Sequence, residues 1–219
     1  MLKMLKGQEK RVDEFRQTYK CKTELSILNA DTVLYLMTTH VYNHDAQWRT
    51  LRKLSSDARI DQEQKQIVIK WLKDEIDSYL SGNITSQAEF DNWHKLLCQE
   101  LTNRINNEVL FGYKTIHMGK AQKIINMTFK LLSSLDDTDD YEKKFELCHI
   151  PLDDNILNWY YSNISKDVKK SRQKIWSNLE YEDYIKTRRN HSKGCGGIMR
   201  VAPLAVNYKL SDIKQLDME

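Results

Sequence analysis

Residues 119–130, GKAQKIINMTFK, set polar groups into a strongly apolar run at helical spacing. On a helix, Gly119, Lys123, Asn126 and Lys130 share one face, Gln122 lies beside Asn126 at i, i+4, and Lys120 adds a cation. Ammonium and amide groups so arranged suit a phosphate-bearing ligand, and Gly119 lets such a ligand approach closely. The competing reading is a solvent-facing stripe with one or two buried hydrogen bonds. It carries weight because an unpaired buried amide costs on the order of 1–3 kcal/mol.

Two further stretches hold chemistry-bearing side chains. DDTDD, residues 136–140, offers Asp136, Asp137 and Asp139 as hard oxygen ligands for Mg2+ or Ca2+. The favoured reading is a solvated, helix-capping loop between helices, since the central glycine and spaced glutamate of a calcium loop are not in place. In HIPLD, residues 149–153, His149 and Asp153 stand on either side of Pro151, where a carboxylate that met the imidazole would orient it for acid–base work. A histidine at a turn is more often structural. No Ser/His/Asp or Cys/His grouping can be assembled from local spacing.

The elements that must position these residues are helices. Two prolines and seven glycines in 219 residues, with long stretches of 3.6-residue period and little strand-like alternation, predict an all-α bundle of about six to nine helices. A basic helix is expected near Lys3–Tyr19 and another near Asp31–Tyr42, with Asp31 as N-cap. From Asp61 to Leu80 the apolar stripe is Ile67, Trp71, Leu72, Ile76, Tyr79 and Leu80, ended by Ser81-Gly82-Asn83. Ser86 with Glu89 makes a capping box, ahead of Phe90, Trp93, Leu97, Leu101 and Ile105 on one face. Gly112 interrupts, and a third long helix is expected from Tyr113 to Leu135. Its second half (Ile124, Ile125, Met127, Phe129, Leu131, Leu132, Leu135) is apolar nearly all round, which predicts the central, most buried position. Pro151 and Asp153 then mark a boundary before another helix start.

Composition narrows the partners. Charged residues make up 30% and the net charge is +3, an ordinary globular balance. Positive charge gathers late: residues 164–193 hold nine Lys/Arg against four Asp/Glu, a surplus of five. Trp159, Tyr160, Tyr161, Trp176, Tyr181 and Tyr184 flank that run, and stacking surfaces beside lysines suit single-stranded nucleic acid. Aromatic core faces with a charged exterior are the competing explanation. Cys21, Cys98, Cys148 and Cys195 show neither a C-x-x-C pair nor zinc spacing and read as reduced thiols of a cytoplasmic protein. Neither a signal peptide nor a membrane span is expected.

The C-terminal stretch differs from all of this. Three of the seven glycines and one of the two prolines fall between Ser192 and Pro203. Consecutive backbone N–H groups in such a loop can form an anion-binding concavity. The order is neither a Walker loop nor a dinucleotide fingerprint.

As a string, SKGCGGIMRVAPLAV resembles the glycine loop of the ADP-ribosylglycohydrolase family over roughly residues 190–206. The resemblance implies an all-α fold, Mg2+-dependent removal of ADP-ribose, and a loop that lines the ADP-ribose pocket. It would place Ser192, Lys193, Gly194, Cys195, Gly196 and Gly197 at the ligand, with Met199 and Arg200 anchoring the loop. The family's opening Thr-Asp-Asp-Thr motif does not stand in the first sixty residues, though Asp136, Asp137 and Asp139 look superficially like it. GKAQKIINMTFK followed by CHIPLD also resembles a pattern of uncharacterised bacterial helical proteins, which brings no activity with it.

The expectation is therefore a helical domain over residues 1–188, joined to a glycohydrolase-like segment over 189–219 by truncation or fusion. Two functions follow. One is an ADP-ribosylglycohydrolase-related protein using Mg2+. The alternative is a helical binding module for RNA or another phosphate-bearing partner.

Overall fold

The structure is a computed structural model that describes residues 62–112, 115–133, 141–163 and 175–182. The two N-terminal helices expected from the sequence, the DDTDD loop, the basic connector and the glycine loop lie outside the described residues. So does the proposed boundary at residue 188.

The fold is all-α, and the described residues include no strand. They hold five α-helices: α1 (Gln62–Ser81), α2 (Gln87–Arg104), α3 (Met118–Leu132), α4 (Glu142–Leu147) and α5 (Asp154–Asn163). A π-helical turn, Ile105–Val109, extends α2, and a 3-10 turn, Trp176–Asn178, follows α5.

Helix α1 buries Val68, Ile69, Leu72, Ile76 and Tyr79, the i, i+3, i+4 stripe of an amphipathic helix. Two residues of the stripe expected from the sequence fall off it. Ile67 is 46% exposed, and Trp71 sits at the rim of the core, under the Arg104 guanidinium at 4.5 Å from the ring centroid. The capping box of α2 is formed as its sequence predicts. Ser86 Oγ accepts from the Glu89 N–H, and a Glu89 carboxylate oxygen accepts from the Ser86 N–H at 3.0 Å.

Helix α2 does not simply stop at Arg104. It widens into the π turn, where the Leu110 N–H reaches back five residues to the Ile105 carbonyl at 2.9 Å. The chain then reverses through Phe111 (φ 48°) and Gly112 (φ 74°), both left-handed. Asn106 closes the loop: its Oδ1 accepts from the Ile116 N–H at 2.7 Å and its Nδ2 donates to the Ile116 carbonyl at 3.1 Å. Residues 115–117 are thereby kept out of the helix, with His117 extended, and α3 starts at Met118, five residues later than the apolar pattern predicts.

Helix α3 is the central helix, with twelve of its fifteen residues buried. Its Phe129 packs into an aromatic cluster with Tyr79, Phe90 and Trp93; Tyr79 stacks on Trp93 at 4.7 Å and meets Phe90 edge-on at 5.1 Å. Burial drives the Tyr79 phenol well above its ordinary range, so it stays protonated and donates to the Lys144 carbonyl at 2.7 Å. The Lys144 ammonium in turn donates to the carbonyls of Gly82 and Ile84, which ties α4 to the exit of α1.

Candidate functional site

The densest set of polar side chains among the described residues lies where α2 and α3 face the segment 147–153. Each side supplies a pair at i, i+4: Gln87 and Asp91 from α2, Gln122 and Asn126 from α3. Pro151 and the extended Cys148 keep the segment out of helical geometry, so its backbone groups must find partners elsewhere. They find side chains. Gln122 Nε2 donates to the Leu152 carbonyl at 2.9 Å, and its Oε1 accepts from the Leu152 N–H at 3.2 Å. Asn126 Nδ2 donates to the Ile150 carbonyl at 3.2 Å, and Gln87 Nε2 to the Leu147 carbonyl at 3.0 Å. Helix side chains thus do for this segment what a neighbouring strand does in a sheet.

The orientation of each amide follows from its neighbour. Because Leu152 offers both a donor and an acceptor to Gln122, the Gln122 amide has one satisfactory orientation. Its Oε1 also accepts from Asn126 Nδ2 at 3.0 Å, which turns Asn126 Oδ1 toward His94. His94 Nε2 lies 2.9 Å from that oxygen and must carry the proton. His149 Nε2 lies 2.9 Å from Asp91 Oδ1, which also accepts from Gln87 Nε2 at 2.8 Å. The two imidazoles, both fully buried, meet edge to face at 4.4 Å between centroids.

The polar face read from GKAQKIINMTFK therefore divides. Gln122 and Asn126 turn inward and hold the 150–152 backbone. Lys123 is buried, with its ammonium 3.5 Å from Asp153 and 4.9 Å from the centre of the Trp176 ring. Lys120 is half-buried and covers the same ring at 5.3 Å, while Lys130 is half-buried further along. Gly119 does permit a close approach, and the approaching group is the protein's own backbone. Its N–H donates to the Leu179 carbonyl at 3.0 Å, and a Cβ there would collide with the Trp176 carbonyl oxygen.

His149 and Asp153 are engaged separately. His149 takes Asp91, while Asp153 Oδ1 accepts from the N–H groups of Asn155 and Ile156 at 3.1 Å each, capping α5. The structure does bring together a Cys–His–Asn set that local spacing did not reveal: Cys98, His94 and Asn126. Its composition is that of a thiol nucleophile with an oriented base. Its environment is not. Cys98 Sγ stands 3.7 Å from both ring nitrogens of His94, facing no single lone pair, and is fully buried. Burial pushes the thiol well above its ordinary range, which leaves it protonated and inert.

Sequence reasoning missed Asp91, His94 and Gln87. The available signal was His94 itself, a polar residue set among Phe90, Leu97 and Leu101 on the buried face of α2.

Among the described residues, no three His, Cys, Asp or Glu side chains converge to hold a metal ion. An open depression of about 340 Å³ lies between the end of α2 and the start of α3; Asn103, His117 and Glu180 line it, with His117 Nδ1 3.4 Å from Glu180 Oε1. Asp136, Asp137, Asp139 and Ser192–Gly197 lie outside the described residues. No helix among the described residues is long and apolar enough to cross a membrane. Comparisons of the chain with protein-family models, curated proteins and solved structures find no match.

Proposed function

We propose that the protein is related to the ADP-ribosylglycohydrolases and binds an ADP-ribose-type ligand through Ser192, Lys193, Gly194, Cys195, Gly196 and Gly197. One observation carries this reading: the unbroken string SKGCGGIMRVAPLAV, whose run of small residues ahead of an apolar stretch is of the kind that can form an anion-binding loop. The all-α fold of the described residues agrees with it. The relationship implies a hydrolase that uses Mg2+, for which Asp136, Asp137 and Asp139 are the carboxylates to test. The widely spaced cysteines support a cytoplasmic location as part of this reading. Calorimetry with ADP-ribose, with and without Mg2+, tests the reading. Saturable binding that is lost when Gly196 and Gly197 are both changed to Val supports it, and no heat at millimolar ligand removes it.

A second reading, a helical binding module for RNA or another phosphate-bearing partner, is favoured by a different observation. Two ammonium groups, of Lys120 and Lys123, lie over the Trp176 indole, and the basic run of residues 166–174 precedes it in the chain. Affinity for a short single-stranded RNA should fall steeply with salt and weaken in Lys120→Ala. Salt-independent binding would count against it.

A further inference from the structure

The two buried histidines sit where the hold on residues 147–153 is decided. His94 bonds to Asn126, whose amide carries the Ile150 carbonyl and braces Gln122; His149 belongs to the segment itself and bonds to Asp91. At a centroid separation of 4.4 Å, with both rings at 0% exposure, two imidazolium ions would repel each other where water cannot screen them.

We propose that the His94–His149 pair is an acid-sensitive latch: the folded pair accommodates one positive ring, and uptake of a second proton releases the 147–153 segment from α2 and α3.

The described titratable groups around the pair set which ring is charged first. From α2 come Asp91 on His149 and Cys98 on His94; from the segment itself, Cys148 and Asp153; from α3, Lys123, held by Asp153; and from residues 179–182, Tyr181, whose ring lies 6.2 Å from His94 and whose hydroxyl donates to the Asp91 carbonyl. Among the described residues Asp91 is the carboxylate in hydrogen-bond contact with a ring, and that contact favours His149 as the ring that carries the tolerated charge. His94 is different. Its Nε2–H already serves Asn126, and a charge on it is placed beside His149. The segment is the part that yields, because its backbone is held by side-chain amides of two different helices. The helices themselves keep their internal bonds.

Amide hydrogen exchange on the full chain tests the latch. The reporters are the Leu152 N–H, which bonds to Gln122 Oε1, and an amide inside α3 such as Ile125. Between about pH 7.5 and about pH 5, the range in which histidine changes charge, Leu152 protection, corrected for the intrinsic rate, is expected to fall relative to Ile125. Where the open state binds one more proton, the fall is about tenfold per pH unit. His94→Gln keeps a donor for Asn126 and takes up no proton, so the differential loss should disappear. Equal loss at both amides, or a differential loss that survives in His94→Gln, overturns the proposal. Should that variant fail to fold, the imidazole resonances of the unaltered protein decide: one ring titrating while Leu152 stays protected supports the latch, and both rings titrating with Leu152 protected overturns it.

Discussion

Gln122 grips Leu152 by both backbone groups across thirty residues of chain, donating to its carbonyl at 2.9 Å and accepting from its N–H at 3.2 Å. Both residues are buried, so neither bond has water as an alternative. Gln122→Glu tests this without changing volume. The oxygen that replaces Nε2 faces the carbonyls of Leu152 and Gly119, turning two donations into repulsions. A loss of about 3 kcal/mol or more is expected in urea unfolding at neutral pH.

Gly119 lies against the backbone of the 176–179 turn, and no side-chain motion can make room for a Cβ. Gly119→Ala should therefore push the turn off α3. A stability loss of about 1–3 kcal/mol is expected. The Trp176 indole would also lose its two lysine neighbours, so a fluorescence change should accompany the loss. Unchanged stability and emission would mean that the close approach is not maintained in solution.

Phe111 holds φ at 48° with its side chain 52% exposed. Left-handed backbone costs an L residue roughly 1–2 kcal/mol, which glycine avoids at the expense of unfolded-state entropy. Phe111→Gly should thus be neutral to stabilising, by up to about 1 kcal/mol. Phe111→Val should be destabilising, because a branched side chain tolerates this region least. The pair of unfolding midpoints checks the sign.

What was legible in the sequence depended on distance along the chain. Ser86 and Glu89 are three residues apart, and their box forms as read. The all-round apolar character of α3 correctly gave the central helix. The onset of α3 was misplaced because Asn106, ten residues away in the chain, binds both backbone groups of Ile116 just ahead of the helix, and no local periodicity reports a side-chain tether. The candidate site was the least legible part. Gln122 and Asn126 were visible as amides in an apolar helix, but their partners lie thirty and twenty-four residues on. His149 bonds to Asp91 across fifty-eight residues, and sequence proximity had suggested Asp153.

Glu89 gives a pH dependence with a defined sign. The Ser86 hydroxyl, followed by the N–H groups of Thr85 and Ser86, stabilises its carboxylate and lowers its pKa below the ordinary value. A depressed carboxylate contributes stability that is fully present above the unfolded value of about 4.3 and is lost as pH falls through the folded value. Glu89→Gln keeps the side-chain acceptor and removes the titration. The stability difference between the two proteins should be constant near neutral pH and shrink below about pH 4. A difference that stays flat through the acid range would show that the box gains nothing from the charge.

Cys98 supplies the sharpest separation between a reactive and a structural reading of the buried polar cluster. Beside His94 and Asn126 it has the makings of a nucleophile, yet alkylation needs both a thiolate and a path to it. Full burial denies the path, and the same burial raises the thiol well above its ordinary range. Mass-spectrometric mapping after brief iodoacetamide treatment near neutral pH should leave Cys98 unmodified in the folded protein and label it after denaturation. Cys98→Ala should keep any ligand binding intact while losing about 1–2 kcal/mol for the vacated sulfur. Rapid labelling of Cys98 in the folded state would instead mean that the core opens at this point and that His94 acts on the thiol as a base.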